Sequence, residues 1–298
     1  MKRILFCLGL FIFMAGAFTS NAQSVIDAED DNNFNNFYTK TLTKEKRAMP
    51  YAYLRENDVG WETAVWRAID FREKFNQFFY FPIYRPNSPS ENQQGRASLV
   101  KVLMKAFEDG AIECYKDDDL LIPIDYEEMM KSITGTHTIS YDIYDEWDEV
   151  IGSVDTVITE EFDPSEVYSC KIKEYWYIDK QDTRQKVRIT GLCLMYNQCK
   201  DRDGDRECNT FPLFWVPMND MRVRNVLVTY NCFDENNINA ERTYDDVFIT
   251  RYFDSFVTRE SNRFNRQISD YLTGTDAIME SLNVEDKLFN LESDMWEY

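Results

Sequence analysis

Residues 167–178 and 185–195 alternate apolar and polar side chains on either side of a polar turn. A period of two belongs to a half-buried strand, and two such runs joined by a short turn read as an antiparallel hairpin. Facing Ile178 with Gln185 puts Trp176 opposite Val187, Ile172 opposite Gly191 and Cys170 opposite Cys193, all on one face. That register predicts a cross-strand Cys170–Cys193 disulfide, with two buried thiols as the alternative. Cys199 and Cys208 flank an acidic turn and form a second pair able to close a loop. Runs at 211–216 and 226–233 extend the hairpin into a meander.

The segments around this meander read as helical. In 61–76, Trp61, Ala64, Val65, Ala68 and Ile69 form one stripe at helical spacing, while Trp66, Phe71 and Phe75 lie off it. A helix that is apolar on two sides is either deeply buried or docked on another protein. The Trp61/Val65/Ile69 stripe is assigned to the core, and Trp66, Arg67 and Phe71 to contact with a neighbour. A second helix is predicted over 98–108, stopped by Gly110. A short strand follows at 112–115, then a helix from Asp125 to Ile133, with Glu128 placed for a capping box. The acidic stretch 135–165 is β-prone at best. Beyond Glu235 the pattern turns helical: one helix starts at Thr243 and Asp246, another spans 262–271, Gly274 interrupts, and Asn283 caps the last.

The first residues read as a secretory signal. Lys2 and Arg3 precede an apolar run to Phe18, and Ser20-Asn21-Ala22 suits cleavage after Ala22. The run is too short to anchor well in a membrane, and Cys7 has too little apolar sequence before it for lipid attachment. The expected organisation is a signal peptide at 1–22, an acidic Asn-rich arm at 23–48, a helix-rich portion at 49–134, an acidic connector at 135–166, the β portion at 167–234 and a helical portion at 235–298. The fold class is α+β: N-terminal helices, a central antiparallel meander and a helical C-terminal portion.

Charge narrows the partners. The chain carries −20, and loss of 1–22 would remove two more positive charges. Such a balance disfavours nucleic acid and anionic membranes. Copies packed together would repel one another, so assembly needs a basic surface, bound cations, or both.

Catalytic constellations are sparse. His137 is the sole histidine, and it lies in the weakly patterned connector, so a His-rich metal site is excluded. No phosphate-cradling glycine loop occurs. The run 201–205 (DRDGD) resembles a calcium loop, but the positions that need Gly and Glu hold Arg206 and Pro212. The acids are so numerous that neighbouring pairs carry no weight; Asp245 and Asp246 read as helix N-terminal acids. No catalytic, cofactor or metal residue is nominated. Recognition-type side chains stand out instead: Tyr51, Tyr53, Arg55, Trp61, Trp66, Arg67 and Arg72 cluster near the start of the folded sequence.

Several stretches resemble one family. PYAYLRENDVGWETAVWRAIDFREKFNQ at 50–77, DDDLLIPIDYEE at 117–128, IKEYWYIDK followed by VRITGLCLM, and LFWVPMNDMR at 213–222 are similar to the gliding motility GldN/PorN family. The run TYDDVFITRYFDSFVTRESNRFNRQISDYLTGTDAIMESL and the terminal LESDMWEY carry the most specific likeness. The resemblance implies a non-enzymatic periplasmic component of the type IX secretion system. Such a subunit joins a GldK/PorK-type outer-membrane lipoprotein and copies of itself in a ring at the periplasmic face of the outer membrane. It also contacts a GldM/PorM-type shaft protein. The expected contact residues are Tyr51, Arg55, Trp66, Arg67, Phe71 and Arg72, with Asp246, Arg251, Arg259 and Arg266 from the C-terminal run. The rival readings are an exported glycan- or peptide-binding protein and a carboxylate-dependent hydrolase.

Overall fold

The computed structural model describes residues 47–83, 96–134, 136–144, 150–159, 162–202, 205–234, 237 and 241–294. The chain divides into Met1–Glu45 and Lys46–Tyr298, and everything below concerns the second unit. The expected signal peptide, most of the arm and the tip of the 201–205 loop lie outside the described residues.

A seven-stranded antiparallel sheet organises the second unit. Its strands are β1 (Val59–Asp70), β2 (Cys114–Tyr115), β3 (Pro123–Ile124), β6 (Ser169–Asp179), β7 (Arg184–Arg202), β8 (Asp205–Pro217) and β9 (Phe256–Glu260), in the order β3-β2-β8-β7-β6-β1-β9. Strands β4 (Thr136–Tyr144) and β5 (Val150–Thr159) form a separate hairpin, so the β-prone connector is in fact paired. His137 sits on β4 opposite Ile158 rather than in a loop. The helices are α1 (Gln77–Tyr80), α2 (Leu99–Glu108), α3 (Tyr126–Ile133), α4 (Met221–Thr229), α5 (Tyr244–Thr250) and α6 (Thr275–Asp294). The architecture is α+β.

The segment expected as the opening helix is β1 instead. Trp61, Val65 and Ile69 are four apart, and four is a multiple of the strand period as well as close to one helical turn. The stripe therefore survives as a strand face. Apolarity on the opposite face, at Ala64, Trp66 and Ala68, reflects a strand covered on both sides. β1 pairs with β6 along its length and with β9 over its second half.

Three hydrophobic clusters follow from this sheet. The largest joins Ile69, Ile172, Leu192 and Phe214 from the strands to Leu103 and Phe107 of α2, Leu227 of α4 and Phe248 of α5. A second packs Val65 and Val257 against Val284 and Leu288 of α6. On the other side, Cys193, Met195 and Trp215 pack with Trp66, Tyr115 and Leu120.

The 167–195 hairpin forms, but its register shifts. Ile178 faces Gln185 and Trp176 faces Val187 as expected; between Lys173 and Glu174 a bulge intervenes, and Thr190 is the extra residue. Cys170 then faces Leu194, and Lys171 faces Cys193. The two thiols end on opposite faces of the sheet, in different clusters, and both are free. The predicted Cys170–Cys193 disulfide is therefore ruled out by a one-residue slip. Burial pushes both thiols well above the ordinary cysteine range, so they are protonated and unreactive. Farther along the same ladder, the backbone register puts Cys199 opposite Cys208.

Helix α2 begins where expected. The Ser98 hydroxyl accepts from the Lys101 amide at 3.3 Å, and Gly110 takes φ +66° just past the end. Helix α3 also forms, although no Asp125 side-chain cap accompanies it. The first half of the expected strand at 226–233 belongs to α4, which Asp220 caps by accepting from the Arg222 amide at 2.9 Å. Val223 and Leu227 then point inward one turn apart. Across the expected helix at 262–271 the chain instead forms an exposed loop and a single 3-10 turn, β9 having ended at Glu260. Asn283 caps nothing: α6 runs through it, and its amide donates to Glu280 at 3.2 Å.

Helix α5 carries the Thr243–Asp246 capping box. Its Asp245 turns inward and takes a bidentate pair from Arg224 of α4 at 2.8 and 2.9 Å. Both side chains are buried. Burial works against the Arg224 charge, but the hydrogen-bonded Asp245 carboxylate outweighs it and raises the guanidinium pKa. Asp245→Ala, leaving that charge buried and alone, is expected to cost about 3–5 kcal/mol, against about 1 kcal/mol for Thr243→Ala. Urea denaturation with an unchanged m-value measures both, and equal costs would refute the ion-pair argument. Non-reducing peptide mapping is expected to return Cys170 and Cys193 as free thiols; a linked peptide would contradict the bulged register.

Candidate interaction surface

The side chains expected to meet a neighbour are mostly engaged within the chain. Phe71 is buried and stacks on Phe79 with centroids 5.4 Å apart, so it belongs to the core and is removed from the contact set. Arg67 is also withdrawn. Its face of β1 turns toward α6, where it ion-pairs with Glu285, and it donates to the Ser255 hydroxyl at 2.8 Å and carbonyl at 2.9 Å. Trp66 is covered by Arg259, whose guanidinium lies 3.4 Å from the ring centroid, and Lys173 approaches at 5.3 Å. Arg259 pairs in turn with Asp118 at 2.9 Å.

The same holds at the ends of the unit. Tyr51 lies between Arg188 and Arg224, at 4.8 and 4.3 Å from its ring. Burial raises its phenol pKa, with the Arg224 charge opposing. The strap around it is tied down: the Ala48 amide donates to Asn225 at 3.1 Å, and Arg224 donates to the Met49 carbonyl. Residues 47 and 48 of the expected arm are thus part of the folded unit. Arg251 takes a left-handed backbone at the end of α5 and pairs with Glu174, which is fully buried, at 2.7 Å. Asp246 closes its capping box. Arg72 is exposed but forked onto Asp70, which holds that carboxyl below its ordinary range. Arg55 and Arg266 remain outward-facing members of the set.

Three surfaces present apolar groups to solvent, and of these the sequence pointed only to the third, through Arg266. The first is an open groove of about 700 Å³ beside α1, lined by Phe75, Phe78, Phe81, Arg242 and Tyr252. Phe75 and Tyr252 lie 4.7 Å apart, and the Arg242 guanidinium stacks 4.1 Å from the Tyr252 ring. The second is the outer side of α6. Ser281, Val284 and Leu288 face the sheet, whereas Ile278, Leu282 and Phe289 are 63%, 49% and 69% exposed. At about 100° per residue those three fall within about 40° of one another, roughly a third of a turn from the buried face. The third is the loop 261–267, where Phe264 is 68% exposed between Arg263 and Arg266.

That loop is rigid for a local reason. The Asn262 amide donates to the Glu260 and Arg266 carbonyls at 2.9 and 2.8 Å, and its oxygen accepts from the Phe264 and Arg266 amides at 3.1 and 3.0 Å. Asn265 takes a positive φ to complete the turn. A spacing of 278, 282 and 289 beside 281, 284 and 288 was the available sign that α6 is apolar on two sides.

No His, Cys, Asp or Glu cluster able to hold a metal occurs among the described residues. Asp117 and Asp118, which line a cavity beside Trp66, are engaged by the Ile122 amide at 2.9 Å and by Arg259. Among the described residues no helix is long and apolar enough to cross a membrane. Arg67→Ala is expected to lower stability by about 2–4 kcal/mol, since it empties a buried site shared by β1, β9 and α6. Arg266→Ala, on the surface, should stay within about 0.5 kcal/mol. Chemical denaturation distinguishes the two, and an unchanged Arg67→Ala midpoint would restore that residue to the surface.

A search of curated proteins gives no match. Residues 54–297 match the family described as gliding motility associated protein GldN, which is not a known enzyme family. With that match spanning the sheet and every helix from α1 to α6, the chain belongs to the GldN family of gliding motility proteins.

Proposed function

We propose that this chain is a non-enzymatic structural subunit of the type IX secretion and gliding machinery. It acts in the periplasm, against the periplasmic face of the outer membrane. It joins a GldK/PorK-type outer-membrane lipoprotein and copies of itself in a ring, and touches a GldM/PorM-type shaft protein. The observation that carries this reading is the family match over 54–297. Two physical features support it. Several buried charged side chains are committed to ties between elements, as in Arg224–Asp245, Arg251–Glu174 and Arg67–Glu285. Large apolar groups are instead offered to solvent on α6, on loop 261–267 and beside α1, which is how interaction surfaces are built.

A photo-crosslinking residue at Arg55, Phe75, Phe264 or Ile278, introduced into the chain in cells, tests the reading. The expected adducts are the lipoprotein, the shaft protein and a second copy, recovered from the periplasmic fraction. Recovery in the cytoplasm, or adducts to none of the three, would overturn it.

The aromatic groove beside α1 favours one second reading, an exported receptor for a peptide or glycan. Its volume lies in the range of small-ligand sites, and stacked rings with an arginine suit both ligand types. Calorimetry of the full chain with peptide and oligosaccharide panels decides it. Saturable binding that Phe75→Ala/Tyr252→Ala abolishes, without any lipoprotein adduct in cells, would replace the scaffold reading.

A further inference from the structure

We propose that loop 261–267 of one copy docks on the outward stripe of α6 in the next copy. This deepens the scaffold reading and rests on it only for the expectation that copies meet. The stripe of Ile278, Leu282 and Phe289 needs a cover, because three large apolar side chains stand in water along one line. Its borders are acidic: Asp286 lies on one side and Glu292 on the other, beside Glu285, whose charge Arg67 already meets. Pairing stripe to stripe would bring those acids together in a chain that already carries −20. The cover must therefore be apolar at its centre and basic at its margin.

The chain itself carries such a piece. Phe264 projects from the loop with Arg263 and Arg266 beside it, and Arg266 stacks 4.6 Å from the Phe264 ring. Asn262 fixes the loop backbone through four hydrogen bonds. Docking a prearranged aromatic and two arginines costs little ordering entropy, and these side chains dominate binding energy at interfaces. The loop cannot serve its own helix along its length. Arg266 also lies 5.0 Å from the Tyr271 ring, just ahead of α6, and Phe289 is about 20 Å farther along at about 1.5 Å per residue.

Loop and stripe are different surfaces, so the contact is head-to-tail. A head-to-tail pair keeps one unused loop on one copy and one unused stripe on the other, and the assembly grows until rotation closes it. Electrostatic steering is supplied by the basic loop against the acidic rim.

Full-length protein in the analytical ultracentrifuge, at physiological salt, tests the pairing. The wild type is expected to self-associate. A loop variant, Arg263→Glu with Phe264→Asp, and a stripe variant, Leu282→Asp with Phe289→Asp, should each associate at least tenfold more weakly. Urea midpoints close to wild type confirm that both are folded. The loop variant keeps an intact stripe and the stripe variant an intact loop, so an equimolar mixture should form dimers and nothing larger. A loop variant that associates like wild type, a mixture that stays monomeric, or a wild type that never associates would each sink the proposal. Lipoprotein capture in cells is followed in parallel. Variants that lose self-association but keep capture support the pairing, whereas loss of capture in the wild type tells against the scaffold reading itself.

Discussion

The central strands β1, β6 and β7 are withdrawn from water on both faces, and this constraint sets the rest of the structure. One face packs against α2, α4, α5 and α6, and the other against the Trp66–Trp215 cluster and the 116–121 turn. Charged residues on those strands must then find partners inside. Glu174 meets Arg251, Lys173 meets Asp119 and the Asp118 carbonyl, and Arg67 meets Glu285. Each pair joins β1 or β6 to a different covering element. Burying two charges costs roughly what their attraction returns, so such pairs add little net stability. Their effect lies in the penalty for any arrangement that separates them, which fixes where α6, the end of α5 and the 116–121 turn sit on the sheet.

That two-sided burial also explains which parts of the fold were legible from the sequence. Helix α2 was, because Ser98, an apolar stripe and Gly110 all agree. So was the start of α5, where Thr243 and Asp246 cap each other. β1 was not, since residues four apart lie on one face of either a helix or a strand, and the second apolar face looked like surplus. The covering layer that uses it is supplied by residues distant in sequence. The bulge at Thr190 was equally hidden: a single extra residue leaves composition and alternation intact while moving Cys193 to the other face. Only Gly191, whose missing side chain lets the Trp215 ring approach to within 3.2 Å of a built Cβ, marks the place.

The candidate site was misjudged for a related reason. Tyr, Trp and Arg are enriched at interfaces, but they are also the residues that fill awkward seams within a sheet protein. Here Arg259 stacks on Trp66, Arg224 and Arg188 hold Tyr51, and Arg72 covers Tyr168. Arg259, Arg224 and Arg72 pair with Asp118, Asp245 and Asp70 while their flat faces cover rings. Composition alone cannot separate a seam from a contact surface; exposure can. Phe264 and Arg266 pass that test, and Trp66 and Arg67 fail it.

Two-sided apolarity on a helix belongs to α6 rather than to the 61–76 segment. Its inner face is paid for by Val65 and Val257 of the sheet, and its outer face has no counterpart among the described residues of the same unit. Glu285 sits on the seam between the two and ties the helix to β1 through Arg67. A partner pulling on the outer stripe therefore pulls on the sheet rather than on a loosely held helix. The anchoring pair and the exposed stripe occupy successive turns of one helix. Leu282 and Phe289 each lie about one helical turn from Glu285, so the exposed stripe is tied to the strands near its centre.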